Sequence, residues 1–129
     1  MSLTIEQILA AEDLPVEEIK IPEWGGTVFV RRMTASDSIE HTIAIRKIEG
    51  DDSESIKRRL GMNVAAFLCD EIGRPIATAD QARKLIDKSA AAINRIVEAG
   101  QRLNVTGDKE VAALSKNSDP SPDDTSPTA

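Results

Sequence analysis

The apolar positions of this chain change their spacing several times, and each change marks an element. Ile5, Ile8 and Leu9 recur at helical spacing directly after Thr4, with Gln7 three residues beyond that threonine. Threonine at the cap and glutamine three positions on form the capping-box spacing, so a short helix is predicted from 5 to about 12, ended by Pro15. Residues 16–21 and 27–33 then become rich in β-branched and apolar side chains. Between them, Pro22-Glu23-Trp24-Gly25-Gly26 supplies a strand terminator and two residues free to take positive φ, which predicts a β-hairpin.

Helical spacing returns afterwards. Thr34 or Ser36 caps a helix that continues to Glu49 and stops at Gly50-Asp51-Asp52. Ser53 caps the next, from 54 to about 72, in which Ile56, Leu60, Val64, Phe67, Leu68 and Ile72 share one broad face. Gly73-Arg74-Pro75 ends it, and Thr78 or Ala79 starts a further helix. From there Ala82, Ile86, Ser89, Ile93, Ile96, Gly100 and Leu103 step alternately by four and three, which fits one long helix with a seam. Ser89 as the cap of a separate helix fits the same residues. The expected fold is therefore α+β, mainly α: a short N-terminal helix, one β-hairpin and three to four packed helices, as a single domain over residues 3–104.

Beyond Leu103 the apolar residues thin out. Residues 115–129 carry no aliphatic or aromatic side chain except the small Ala129, and Pro120, Pro122 and Pro127 lie among Ser, Asp and Thr. Such a stretch buries too little apolar surface to offset the entropy of ordering, so 105–129 reads as a disordered acidic tail. Within it, Val111, Ala112, Ala113 and Leu114 are apolar enough for one helical turn that docks on a neighbouring subunit.

Composition narrows the classes of function. The 129 residues carry a net charge of -6, and the only aromatics are Trp24, Phe29 and Phe67, so the core is aliphatic. Half of that charge sits in the tail, leaving 14 basic against 17 acidic side chains before Asn104. An acidic balance without tyrosine disfavours nucleic acid, whose phosphates call for clustered cations and stacking rings. Lys57-Arg58-Arg59 is the one basic triplet, and helical geometry spreads it around the helix. The lone Cys69 can neither close an internal disulfide nor build a zinc site by itself, which suits a reducing compartment. The start lacks a basic region followed by an apolar stretch, and the longest apolar run, 64–69, is far short of the ~20 residues that span a bilayer. A cytoplasmic protein with no membrane segment is expected.

No catalytic constellation emerges. His41 and Cys69 are the only imidazole and thiol, and Cys69 falls at the edge of an apolar helical stripe near Met62, where a small structural hydrophobe belongs. His41, between Glu40 and Thr42, reads as solvated or partly packed. Neighbouring carboxylates such as Glu12-Asp13, Glu17-Glu18 and Asp51-Asp52 give no sign of two environments facing one cleft. Gly25-Gly26 lies between strands, whereas phosphate-cradling loops pass from strand to helix. No enzyme activity, cofactor or metal is expected. The candidate partner-binding residues are Trp24, Ile39, Ile43, Ile45 and Ile48. Trp24 has two readings: an anchor exposed on a rigid hairpin, or a lid folded over the helices. Ile39 and Ile43 share a helix face while Ile45 and Ile48 point away from it, so one buried stripe does not account for all four, and self-association through helices is expected.

With these residues in view, the chain resembles the tail assembly chaperones of long-tailed, lambda-like bacteriophages. The resemblance lies in Ile8-Leu9-Ala10-Ala11-Glu12-Asp13-Leu14, in Ile21-Pro22-Glu23-Trp24-Gly25-Gly26 followed by Val28-Phe29-Val30-Arg31, and in Ser89-Ala90-Ala91-Ala92-Ile93-Asn94-Arg95-Ile96 running on to Arg102-Leu103-Asn104. It implies a non-enzymatic protein of the host cytoplasm, absent from the finished virion, that binds the tape measure protein and helps recruit the tail tube protein, the latter through a longer frameshifted form. A structural virion component, such as a small head-tail connector or tail subunit, shares the missing chemistry and is the alternative. A small RNA-binding protein would rest on residues 57–59 alone.

Overall fold

The computed structural model describes residues 2–104, so the expected tail at 105–129 lies outside the described residues. In chain order the elements are α1 (Ile5–Ala10), β1 (Val16–Ile21), β2 (Gly26–Arg31), α2 (Ala35–Arg46), α3 (Ser53–Phe67), β3 (Leu68–Cys69), α4 (Ala79–Leu85) and α5 (Ala90–Leu103), with a single 3₁₀ turn, Pro22–Trp24, inside the hairpin. The fold is mainly α with a small antiparallel sheet of order β1-β2-β3.

The hairpin forms as its turn chemistry dictates. Pro22 opens the 3₁₀ turn, and Gly25 closes it in the left-handed region at φ 69°, where a side chain would be strained. That geometry sets the register Ile19 to Val28 and Ile21 to Gly26. Ile21 and Val30 are thereby buried in a cluster with Val64, Phe67, Ala92, Ile93 and Ile96 from α3 and α5, against which Ile19 and Val28 pack. The core is thus a layer of two helices over one sheet face, aliphatic except for Phe67.

Five expectations are corrected. The helix expected to run to about 72 stops at Phe67, because Leu68 and Cys69 pair antiparallel with Val30 and Phe29 of β2, so the single hairpin becomes a three-stranded sheet. Asp70 then organises a turn: its carboxylate accepts from the backbone N–H of Ile72 and Arg74, and Gly73 takes φ 91°. Ile72, expected on the core face, is 70% exposed in that turn. Cys69 accordingly sits in a strand and is buried, not at the edge of a helix. The helix after Thr34 ends at Arg46, short of Glu49, and Asp52 rather than Ser53 is the N-cap of α3, its carboxylate accepting from Ser55.

The two readings of the C-terminal helical region separate cleanly. Thr78 caps α4 with a capping box completed by Gln81, and Ser89 caps α5 through the N–H of Ala92. The chain turns between them, and the seam of alternating fours and threes runs unbroken only within α5, where Ile93, Ile96 and Gly100 are buried.

Close helix packing depends on two glycines. A Cβ at Gly61 of α3 would lie 2.4 Å from the Ala82 carbonyl oxygen of α4, and one at Gly100 of α5 would lie 2.2 Å from the Phe67 ring. Both are inside van der Waals contact, so these helices approach at distances only glycine permits.

Candidate partner-binding surface

The end of β2 holds the second layer of the molecule in place. Arg31 is buried, and its Nε donates to the Ala66 carbonyl at 3.0 Å while Nη1 reaches Asp37 at 2.9 Å. One guanidinium therefore ties the last strand residue to the end of α3 and to the first turn of α2. Asp37 also donates its N–H to the Thr34 hydroxyl, the N-cap of α2, so the ion pair and the cap fix the same turn. Farther along α2, His41 Nε2 lies 2.7 Å from Asn63 Oδ1 of α3.

These contacts decide which side of α2 faces the body. His41, Ala44 and Ile45 are half-buried, and Ile48, just beyond the helix, is buried. Ile39 and Ile43 point the other way, 60% and 43% exposed. Of the four isoleucines singled out in the sequence, two serve the body and two remain open to solvent. Trp24 is 37% exposed at the hairpin tip, and the neighbouring Glu23 is paired with Arg95 of α5 at 3.2 Å. Trp24 precedes β2 and α2 follows it, so the length of one strand lies between them along the chain.

Sequence reasoning missed a larger apolar surface. No residue of α1 is buried, and Leu3, Ile5, Ile8, Leu9 and Leu14 are all about half or more exposed. The signal in the sequence was Pro15, which limits the helix after Thr4 to about two turns, one stripe with few contacts to hold it against a body. A second apolar feature is a shallow groove of about 300 Å³ lined by Leu68, Ile76, Ala77 and Leu85 together with Gln81, Lys84 and Lys88.

The polar groups are arranged for structure. Arg59 of the basic triplet donates to the Ile48 and Gly50 carbonyls, which closes the loop before α3. The Arg83 guanidinium grips Glu54 through two bonds of 2.9 and 3.2 Å, and that hydrogen bonding holds Glu54 below the usual carboxylate range. Arg95 does the same for Glu23, and backbone N–H groups led by Arg74 do so for Asp70. Burial pushes the Cys69 thiol up, which disfavours the reactive thiolate. Among the described residues no hydrogen bond joins His41 to Cys69, no group of three or more His, Cys, Asp or Glu side chains could hold a metal ion, and no helix is long and apolar enough to cross a membrane.

No protein-family model and no curated protein sequence matches the chain. Among solved structures, its fold is similar to that of the bacteriophage HK97 tail assembly chaperone, with a TM-score of 0.50 and 20% sequence identity over 79% of this chain and 98% of that one. The likeness is one of fold, and it lies in the family the sequence resembles.

Proposed function

We propose that this protein is a tail assembly chaperone of a long-tailed phage, acting without catalysis in the host cytoplasm and absent from the mature virion. The observation that carries the reading is the fold shared with the HK97 tail assembly chaperone over nearly all of that protein. The distribution of apolar surface supports it: Ile39 and Ile43 form an outward pair on a helix whose other side is anchored by Arg31, His41 and Ile48. A rigidly held apolar pair suits the capture of helical apolar segments exposed by a long tape measure protein before assembly, by the helix-against-groove logic of peptide recognition. Net acidity keeps such a holdase soluble. Recruitment of the tail tube protein, through a longer frameshifted product, completes the proposed role.

The test is co-expression with the tape measure protein of the same phage. The tape measure protein is expected to become soluble and to co-purify. The Ile39→Asp/Ile43→Asp double variant is expected to lose at least 90% of that co-purification while its circular dichroism stays unchanged, since both side chains already face solvent. Failure of the two proteins to associate, together with this chain in purified virions, would establish the structural-component alternative instead.

A further inference from the structure

Beyond the described residues, Val111, Ala112, Ala113 and Leu114 form an apolar cluster in a tail otherwise rich in Asp, Ser, Thr and Pro. Laid on a helix, Val111 and Leu114 share a face. Asp108 lies three positions before the valine and Glu110 four before the leucine, so a carboxylate borders that face on either side, while Lys109 and Lys116 fall opposite. A single turn of this kind is marginal in water and needs an external surface.

The body offers one of complementary character. The groove beside β3 and α4 is lined by Leu68, Ile76, Ala77 and Leu85, and Ile76 is 54% exposed. Lys84 and Lys88 line it as well. Neither enters an ion pair among the described residues, whereas Arg83 beside Lys84 is committed to Glu54 and Asp87. A shallow groove of about 300 Å³ suits a turn with two aliphatic side chains, not a long helix.

The place where the described chain ends decides which copy supplies the turn. α5 passes Phe67 so closely that a Cβ at Gly100 would meet its ring. Asn104 then donates from Nδ2 to the Arg31 carbonyl at 3.1 Å, next to Val30, which pairs with Leu68. The tail therefore departs beside the strand that supplies Leu68 to the groove. Residues 105–110 reach up to about 20 Å when extended. So short a tether holds the cluster at a local concentration on the order of millimolar, far above that of a second copy at ~10 μM. We infer that residues 111–114 seat in the groove of their own chain, Val111 and Leu114 on its aliphatic lining and Asp108 and Glu110 against Lys84 and Lys88. The inference is independent of tape measure binding, which was placed on α2.

Methyl NMR of the full chain reads the groove directly. Val111→Asp/Leu114→Asp is expected to shift the Ile76 and Leu85 methyl signals and to leave those of Ile21 and Val30 in the core unchanged. In a Cys69→Ala background at ~10 μM, a chain carrying both Ala77→Cys and Ala112→Cys should close an internal disulfide at least tenfold faster than two chains carrying one cysteine each become joined. Lys84→Glu/Lys88→Glu should slow that closure at least tenfold, and Asp108→Lys/Glu110→Lys added to it should restore the rate. Methyl signals indifferent to the tail substitutions, or closure indifferent to the exchange of the lysines, would overturn the inference. So would disulfides that form between chains as fast as within one, the mark of a neighbouring copy as the occupant.

Discussion

Replacing Gly61 by alanine tests the helix packing at its tightest point. On propensity alone the change stabilises, because alanine in a helix interior gains about 1 kcal/mol over glycine. Here the new Cβ would stand 2.4 Å from the Ala82 carbonyl oxygen, 2.9 Å from its carbon and 3.3 Å from the Arg83 Cα. All three atoms are backbone, so no rotamer change relieves the overlap, and α4 must withdraw by about 1 Å to restore ordinary contact. Overpacking of that kind costs about 1–3 kcal/mol. Withdrawal also stretches the Arg83 to Glu54 pair, whose exposed position limits its share to under about 1 kcal/mol. The net expectation is a loss of about 1–2 kcal/mol, with the melting temperature lower by about 4–8 °C per kcal/mol. Urea denaturation followed by circular dichroism measures it, with Gly26→Ala as the control, since nothing lies within 4 Å of a Cβ at Gly26. A Gly61→Ala protein with a higher urea midpoint and unchanged slope would refute the close approach of α3 and α4.

Arg31→Met should lower stability by about 2 kcal/mol, since it removes two hydrogen bonds of a buried guanidinium, one of them charge-paired. Hydrogen exchange should show α2 losing protection before α3 and α5, and a uniform loss would show that Arg31 does not specifically hold α2. The Glu23 carboxyl is held below its ordinary value of 4.5 by the Arg95 hydrogen bond. A depressed folded-state value means that the pair's stabilisation is present above pH 4.5 and is lost as pH falls through the folded value. NMR titration should place the Glu23 midpoint below 4.5 and return it there in Arg95→Gln; an unchanged midpoint would mean that Arg95 is not the cause.

What was legible in the sequence follows from local physics. Thr4 with Gln7 and Pro22 with Gly25 fix their own neighbourhoods through a side-chain cap and a backbone conformation. Each signal lies within a few residues, so the N-terminal helix and the hairpin were readable without any tertiary contact, and the α2 cap was narrowed to Thr34 or Ser36. That one stripe could not bury all of Ile39, Ile43, Ile45 and Ile48 was legible in the same way, whereas which of them face outward was decided by the contacts of α2.

Other features depended on partners distant in sequence. Leu68 continues the helical periodicity of α3 and would extend it, but β2 offers an unpaired edge at Val30 and Phe29, and strand pairing takes Leu68 and Cys69 out of the helix. Residues 82–103 satisfy one long helix or two. Gly61 against the backbone of Ala82 and Gly100 against Phe67 require α4 and α5 to meet α3 separately, so the chain turns at Ser89. Exposure is likewise a tertiary property: the same Ile-x-x-Ile-Leu spacing that would read as a core stripe in α3 faces solvent in α1, because among the described residues no element packs closely on it. Sequence therefore determined the N-terminal helix and the hairpin, through a cap and turn residues that act within four positions. Tertiary structure decided where they stop and which apolar faces stay open, since both depend on surfaces that the chain brings together only when it folds.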